Sequence, residues 1–320
     1  MTNTSCNAAR LVLARMSIKP HSPATHWHTL PCGGVLSLHG ADALSFAQSQ
    51  FANDITGLRD GQWQWSCWLS AKGRVIALFA LLRIDAKSLL LWLPDYPAED
   101  LASRLTRMRF RSKVEIQPLE PGCAAAAMAA PESFGSTAHY AQAEIERDDS
   151  GAWQRIVLDL SASQPRSLVL TATANSLTKP DAAFIAQWTG ADIAHGLPRL
   201  GSQQVEAFTP QMLGLERLAA FSVKKGCYPG QEVVARTHFL GQAKRSLIRL
   251  RLEHRLEPGT ELRAGDGRAQ IIRTVQAHDC LEALAVANTN AEAHWPGKDD
   301  QLLATTLPLL DGLARSDSPT

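Results

Sequence analysis

Val223-Lys224-Lys225-Gly226-Cys227-Tyr228-Pro229-Gly230-Gln231-Glu232 is the least ordinary stretch of this chain, and both fold and function turn on it. Two glycines flank one cysteine within five residues, and Pro229-Gly230 fits the centre of a type II turn. Such a loop holds its backbone in a tight, exposed shape that a ligand can approach. If Gln231 to Thr237 continue as a short helix, Cys227 lies just before its positive end, and Lys224 and Lys225 add cationic charge. Both effects favour thiolate, moving the thiol below the ~8.5 of a free cysteine. The other reading of the same residues is a small buried cysteine in a structural turn.

Upstream of this loop the chain becomes structured from Gly34. Val35 to Leu38 reads as a strand, and Gly40-Ala41-Asp42 turns into a helix with Ala43, Phe46 and Ala47 on one side. Trp63, Trp65 and Cys67 alternate with polar residues, the period of a strand. Val75 to Leu82 and Leu89 to Leu93 make a hairpin across Asp85-Ala86-Lys87-Ser88. Asp95 and Pro97 open a helix lined by Leu101, Leu105 and Met108, and a strand around Ser112 to Gln117 follows. The order β-α-β-β-β-α-β contains a split-βαβ theme and predicts an α+β module on an antiparallel sheet.

Residues 118–150 read as a variable connection. Trp153 to Leu160 and Ser167 to Ala172 read as strands of a second lobe, and Asp181 to Ala194 as a helix carrying Phe184, Ile185 and Trp188. After Gly241 short strands recur at Ser246–Leu252, Arg268–Gln276, Leu281–Ala287 and Leu302–Leu307, the pattern of a small barrel-like β domain. The predicted organisation is therefore a flexible leader at 1–25, a two-lobed region at 26–240, and a C-terminal β-barrel at 241–320. The leader lacks acids and holds Arg10, Arg15 and Lys19. It can also be read as a transit-like segment, or as upstream of a true start at Met16.

Lys plus Arg total 32 against 31 Asp plus Glu, so no global field recruits nucleic acid or a membrane. Any anion-binding surface must be local, and two basic clusters qualify. Arg107, Arg109, Arg111 and Lys113 would share one face of an extended segment. Seven Lys or Arg against the single acid Glu232 fall between Lys224 and Arg251. No apolar run reaches the ~18 residues that span a bilayer. The six cysteines are at least 26 residues apart, which argues against a local zinc or cluster-ligand motif and fits reduced thiols in a cytoplasmic protein.

The stretch Lys224-Lys225-Gly226-Cys227-Tyr228-x-Gly230-Gln231-Glu232, followed by Val233-Val234-Ala235-Arg236, resembles the K-G-C-Y-x-G-Q-E signature of the YgfZ family. That family includes mitochondrial iron–sulfur assembly factors and is related to the T-protein aminomethyltransferase of glycine cleavage. Gly40-Ala41-Asp42-Ala43 with Phe46, Gln50 and Asn53-Asp54 is similar to its N-terminal block. Lys72-Gly73-Arg74, Phe110-Arg111-Ser112-Lys113-Val114, Gly196-Leu197-Pro198 and Phe208-Thr209-Pro210-Gln211 resemble its later segments.

The resemblance implies a T-protein-like fold: three lobes of antiparallel sheet with flanking helices, ringed around a hole that binds tetrahydrofolate. A family tryptophan eight residues before G-x-P contacts folate, and that spacing falls on Trp188; the indole also suits the core side of a helix. A second family tryptophan falls at Gly33, with Trp27 nearby but out of register. Arg109, Arg111, Lys113, Lys224, Lys225 and Tyr228 become candidates for the folate glutamate tail or its surroundings, and Cys227 for a functional thiol. Phosphate of RNA is a further use for basic surface, but no RNA-binding motif accompanies it.

The implied role is support of iron–sulfur cluster assembly or repair in client enzymes, a tRNA methylthiotransferase among them. The partners are those clients or the assembly machinery. Aminomethyl transfer is the enzymatic alternative, and an adaptor with a vestigial pocket is the third. Related transferases place a carboxylate on the strand after the Lys72-Gly73-Arg74 turn, but here Val75 to Leu82 carries no acid.

Overall fold

A computed structural model describes residues 27–119, 123–129, 141–171, 181–241, 243–277, 280–288, 294–296 and 302–315. The leader expected at 1–25 lies outside them. In chain order the first part holds β1 (His28–Thr29), β2 (Gly34–His39), α1 (Ala43–Gln50), β3 (Gln62–Leu69), β4 (Val75–Asp85) and β5 (Ser88–Leu93). Then come α2 (Ala98–Thr106), β6 (Glu115–Pro118), β7 (Cys123–Ala127), β8 (Ala141–Gln142) and β9 (Glu144–Arg147). They are followed by β10 (Trp153–Asp159), β11 (Ser167–Thr171), α3 (Ala182–Ala194) and α4 (Gln231–Leu240). The last part holds β12 (Arg245–Leu252), β13 (Glu261–Ala264), β14 (Gly267–Ala277), β15 (Cys280–Asn288), β16 (His294–Pro296) and β17 (Leu302–Leu307). Among the described residues no helix is long and apolar enough to cross a membrane.

Three antiparallel sheets result. The first runs β6-β2-β5-β4-β3-β8, the second β1-β7-β11-β10-β9, and the third β13-β14-β15-β12-β17-β16. In the third, edge strand β13 also lies against β16, so the sheet curls into a nearly closed barrel. The alanine run expected to belong to a variable connection instead supplies β7, which pairs with β11 inside the second sheet. Alanine is a poor strand former by itself, and a place between two partners overrides that propensity.

The first sheet is covered on both faces, which is why β4 reads as an unbroken apolar run rather than an alternation. Val75, Leu78, Ala80 and Leu82 join Trp63, Trp65, Cys67 and Trp92 on the inner face. That layer continues into Ile156, Leu158 and Leu170 of the second sheet, Trp188 of α3, and Ile272 and Leu284 of the third. Ile76, Phe79 and Leu81 pack on the outer face beneath Phe46 of α1 and Leu101 and Leu105 of α2. The inner face is thus the junction of all three sheets. The barrel keeps an interior of its own, in which Ile248, Leu250 and Leu252 of β12 meet Ile271 and Trp295.

Candidate functional site

The cysteine loop is fixed on both sides of Cys227. Gly230 takes the left-handed conformation at φ +79°, and a Cβ there would meet the Cα of Gly73 and the carbonyl of Ser70, each at 2.6 Å. Gly73, at φ +67°, would in turn drive a Cβ to 2.7 Å from Val233. The Lys72-Gly73-Arg74 turn and the Pro229-Gly230 turn therefore nest backbone to backbone, and only glycine allows it. The Phe208–Gln211 segment closes the same corner: Gln211 Nε2 donates to Val234 O at 3.0 Å, and Arg74 Nη1 to Ala207 O at 2.8 Å.

The two neighbours of Cys227 in the signature point inward. Lys225 is 5% exposed, and its Nζ donates to the carbonyls of Gln48, Phe51 and Asn53 at 2.5, 2.6 and 3.1 Å. Burial pushes this ammonium down to about 8, against the opposing pull of Asp54 and the Cys67 site. Tyr228 is buried too. Its hydroxyl donates to Ser222 O at 3.2 Å, its ring faces the Lys225 ammonium at 5.2 Å, and burial raises its pKa. Asn53 secures the receiving loop by donating to Trp65 O and Ala219 O at 2.8 and 2.7 Å. Between these anchors Cys227 is exposed, and so is Lys224. Lys225 and Tyr228, expected beside a ligand tail, are committed to holding the loop.

A second centre lies on the inner face, and much of it was invisible in the sequence. Asp192 is buried between two guanidinium groups, with Arg166 Nη1 at 2.8 Å and Arg199 Nη2 at 2.7 Å. Arg166 lies over the ring of Trp188 at 4.7 Å, Arg199 over Trp92 at 5.8 Å, and Arg315 over Trp63 at 5.6 Å. Asp95 accepts from the backbone N–H of Leu200, and burial raises its pKa to about 6 despite nearby Arg199 and Arg273. Among the described residues the indole N–H groups of Trp63, Trp92 and Trp188, and Nη2 of Arg166, have no hydrogen-bond partner.

Trp188 is 1% exposed and stacks on Phe184 at 6.0 Å, which stacks in turn on His28 at 4.2 Å. His28 is the N-terminal ring that extends the Trp188 stack. Trp27 packs on Val157 and Val169, on the other side of the second sheet, beneath Arg155. Gly33 has no room for the family's indole, since a Cβ would meet Tyr96 O at 1.9 Å.

The basic segment 107–113 is a turn, not the expected strand. Phe110 sits at φ +46°, and the N–H groups of Arg109 and Ser112 close local bonds to Thr106 O and Arg109 O at 3.2 and 2.9 Å. Left-handed backbone at Phe110 ends any extended face, so the strand begins only at Glu115. Arg109, Arg111 and Lys113 are exposed there, beyond the helix that covers the outer face, whereas Trp188 belongs to the inner face. The first sheet stands between them.

No protein-family model matches the chain. It is 27% identical over 239 residues to the tRNA-modifying protein YgfZ of Colwellia psychrerythraea, covering 71% of each chain. It is 30% identical over 234 residues to the tRNA-modifying protein YgfZ of Yersinia pseudotuberculosis, covering 67% of each. Its fold is similar to that of the glycine cleavage system aminomethyltransferase T from Bartonella henselae, with a TM-score of 0.67 at 14% identity over 88% of this chain and 85% of that one. Sequence relatives and fold agree: the chain belongs to the YgfZ family, built on the aminomethyltransferase T architecture.

Proposed function

We propose that the protein binds tetrahydrofolate or a derivative at the inner face and supports assembly or repair of iron–sulfur clusters in client enzymes, tRNA-modifying ones among them. The observation that carries the ligand is Trp188, buried with an N–H that, like the Nη2 of Arg166 beside it, has no partner among the described residues. Buried donors without acceptors are costly and call for a partner. A pterin supplies both acceptor atoms along its edge and a flat face for the indole. Arg166 and Arg199 against Asp192 leave cationic excess for the carboxylates of a folate tail. Family membership supports the client role, because the relatives are named for tRNA modification.

Cys227 is the thiol that meets a client, a sulfur species or a cluster in transfer. It is exposed on a loop whose flanking residues are locked, so its position is set before a partner arrives. Titration of the reduced protein with tetrahydrofolate under anaerobic conditions tests the reading. One-site binding at micromolar strength, about −8 kcal/mol, is expected. Trp188→Ala should weaken it roughly two- to tenfold. A flat titration removes folate from the function. Full rescue of client activity by Cys227→Ala in cells lacking the gene removes the thiol.

A further inference from the structure

A cavity of about 480 Å³ opens where the outer face of the first sheet, the C-terminal ends of α1 and α2, and the cysteine loop meet. It is lined by Gln50, Trp68, Ile76, Arg104, Arg107 and Pro229. Pro229 belongs to the cysteine loop, two residues beyond Cys227. The volume falls in the range of small-molecule sites.

Three properties of the lining define what it would hold. Trp68 is 3% exposed, and its Nε1 donor has no partner among the described residues; neither has the Oε1 acceptor of Gln50. One donor and one acceptor without partners, on two residues that line the same cavity, complement an edge that presents an acceptor beside a donor, as a nucleobase does. The cationic side is the second property. Arg104 covers the Trp68 ring at 5.4 Å and is already paired with Glu206 at 2.7 Å. Arg107 is exposed, its side chain has no hydrogen-bond or ion-pair partner among the described residues, and it is the cation left for an anion. Thirdly, Arg104 and Arg107 of the lining belong to a segment, residues 101–114, that also carries Arg109, Arg111 and Lys113 and no acid, a charge density suited to phosphate.

We propose that this cavity is a nucleotide site, distinct from the folate centre on the opposite face of the sheet, with Trp68 and Gln50 at the base edge and Arg107 at the phosphate. The nucleotide is either free or part of a single strand. Phe110, 88% exposed at the tip of the basic turn, supplies a stacking surface for the next base in the second case.

Calorimetry on the full chain with adenosine 5′-monophosphate, with and without tetrahydrofolate, tests the proposal. Expected is one site that tetrahydrofolate does not compete for, with inorganic phosphate binding at least about tenfold more weakly. Arg107→Glu, a surface change that leaves the core intact, should weaken the nucleotide about tenfold or more. Trp68→Phe, which keeps an aromatic ring and removes the donor, should weaken it about two- to tenfold. Tighter binding of a short oligoadenylate, lost in Phe110→Ala, assigns the site to a strand; equal affinity assigns it to the free nucleotide. Absence of binding, affinity unchanged by both cavity substitutions, phosphate binding as tightly as the nucleotide, or competition by tetrahydrofolate overturns the proposal.

Discussion

The two faces of the first sheet share strands but obey different rules. The outer face is mainly apolar core: Ile76, Phe79, Leu81 and Leu91 meet two helices, the Lys225 ammonium is buried at the end of α1, and Cys227, Arg107 and Lys224 are exposed beside it. The inner face brings its charges inside, where Asp192 joins two arginines and three indoles lie under guanidinium groups. Apolar packing tolerates exchange of shape for similar shape. A buried charge network tolerates almost none, because each member is another member's compensation.

Near-isosteric substitutions should expose that difference most strongly. Asp192→Asn keeps the volume but strips two buried guanidinium groups of their counter-charge, and should cost about 3 kcal/mol or more in urea unfolding. Leu91→Met on the outer face should cost less than about 1.5 kcal/mol. Equal losses would mean that the faces do not differ in kind.

Asp95 gives the inner face a pH signature in the acid range. Its carboxyl takes a proton near pH 6 in the folded chain, against an ordinary value near 4 when unfolded. The folded state therefore holds the extra proton between these values. Its contribution to stability is complete below about pH 4 and is lost as pH rises through 6, by at most about 1.4 kcal/mol per pH unit. Asp95→Asn should remove that decline when urea midpoints are compared from pH 4 to pH 7. An unchanged profile would place the proton elsewhere.

The smallest contrast is between adjacent lysines. Lys225→Met abandons three buried carbonyls and should cost about 1–3 kcal/mol, whereas exposed Lys224→Met should stay within about 0.5 kcal/mol. Similar midpoints for both would deny the anchoring role of Lys225.

What the sequence disclosed follows the same division. The longer strands, the helices and the cysteine turn were legible because periodicity and turn chemistry act over a few residues, whereas β7 and β9 lie in the stretch read as a connection. The alternation Arg107-Met108-Arg109-Phe110-Arg111 imitates a strand, and nothing local announces that Phe110 turns left-handed. The Asp192 centre was hidden for another reason. Arg166 and Asp192 are 26 residues apart, one in a polar turn and the other in a mostly apolar helix, and only the meeting of α3 with the turn before β11 joins them. Lys225 stood in the signature yet looked like its neighbour, since its carbonyl partners lie more than 170 positions upstream.

Trp65 on the inner face donates its indole N–H to the carbonyl of Leu313, 248 residues later, at 3.0 Å. Leu313 is itself buried in that layer, and Arg315 beside it binds the carbonyls of Asp159 and Ser161. A ribosome makes Trp65 long before it makes this strap. At about 5–20 residues per second, the innermost surface of the first lobe waits on the order of ten seconds or more for its last covering. Until the chain has been made as far as Leu313, the Trp65 indole lacks the acceptor it has in the finished fold.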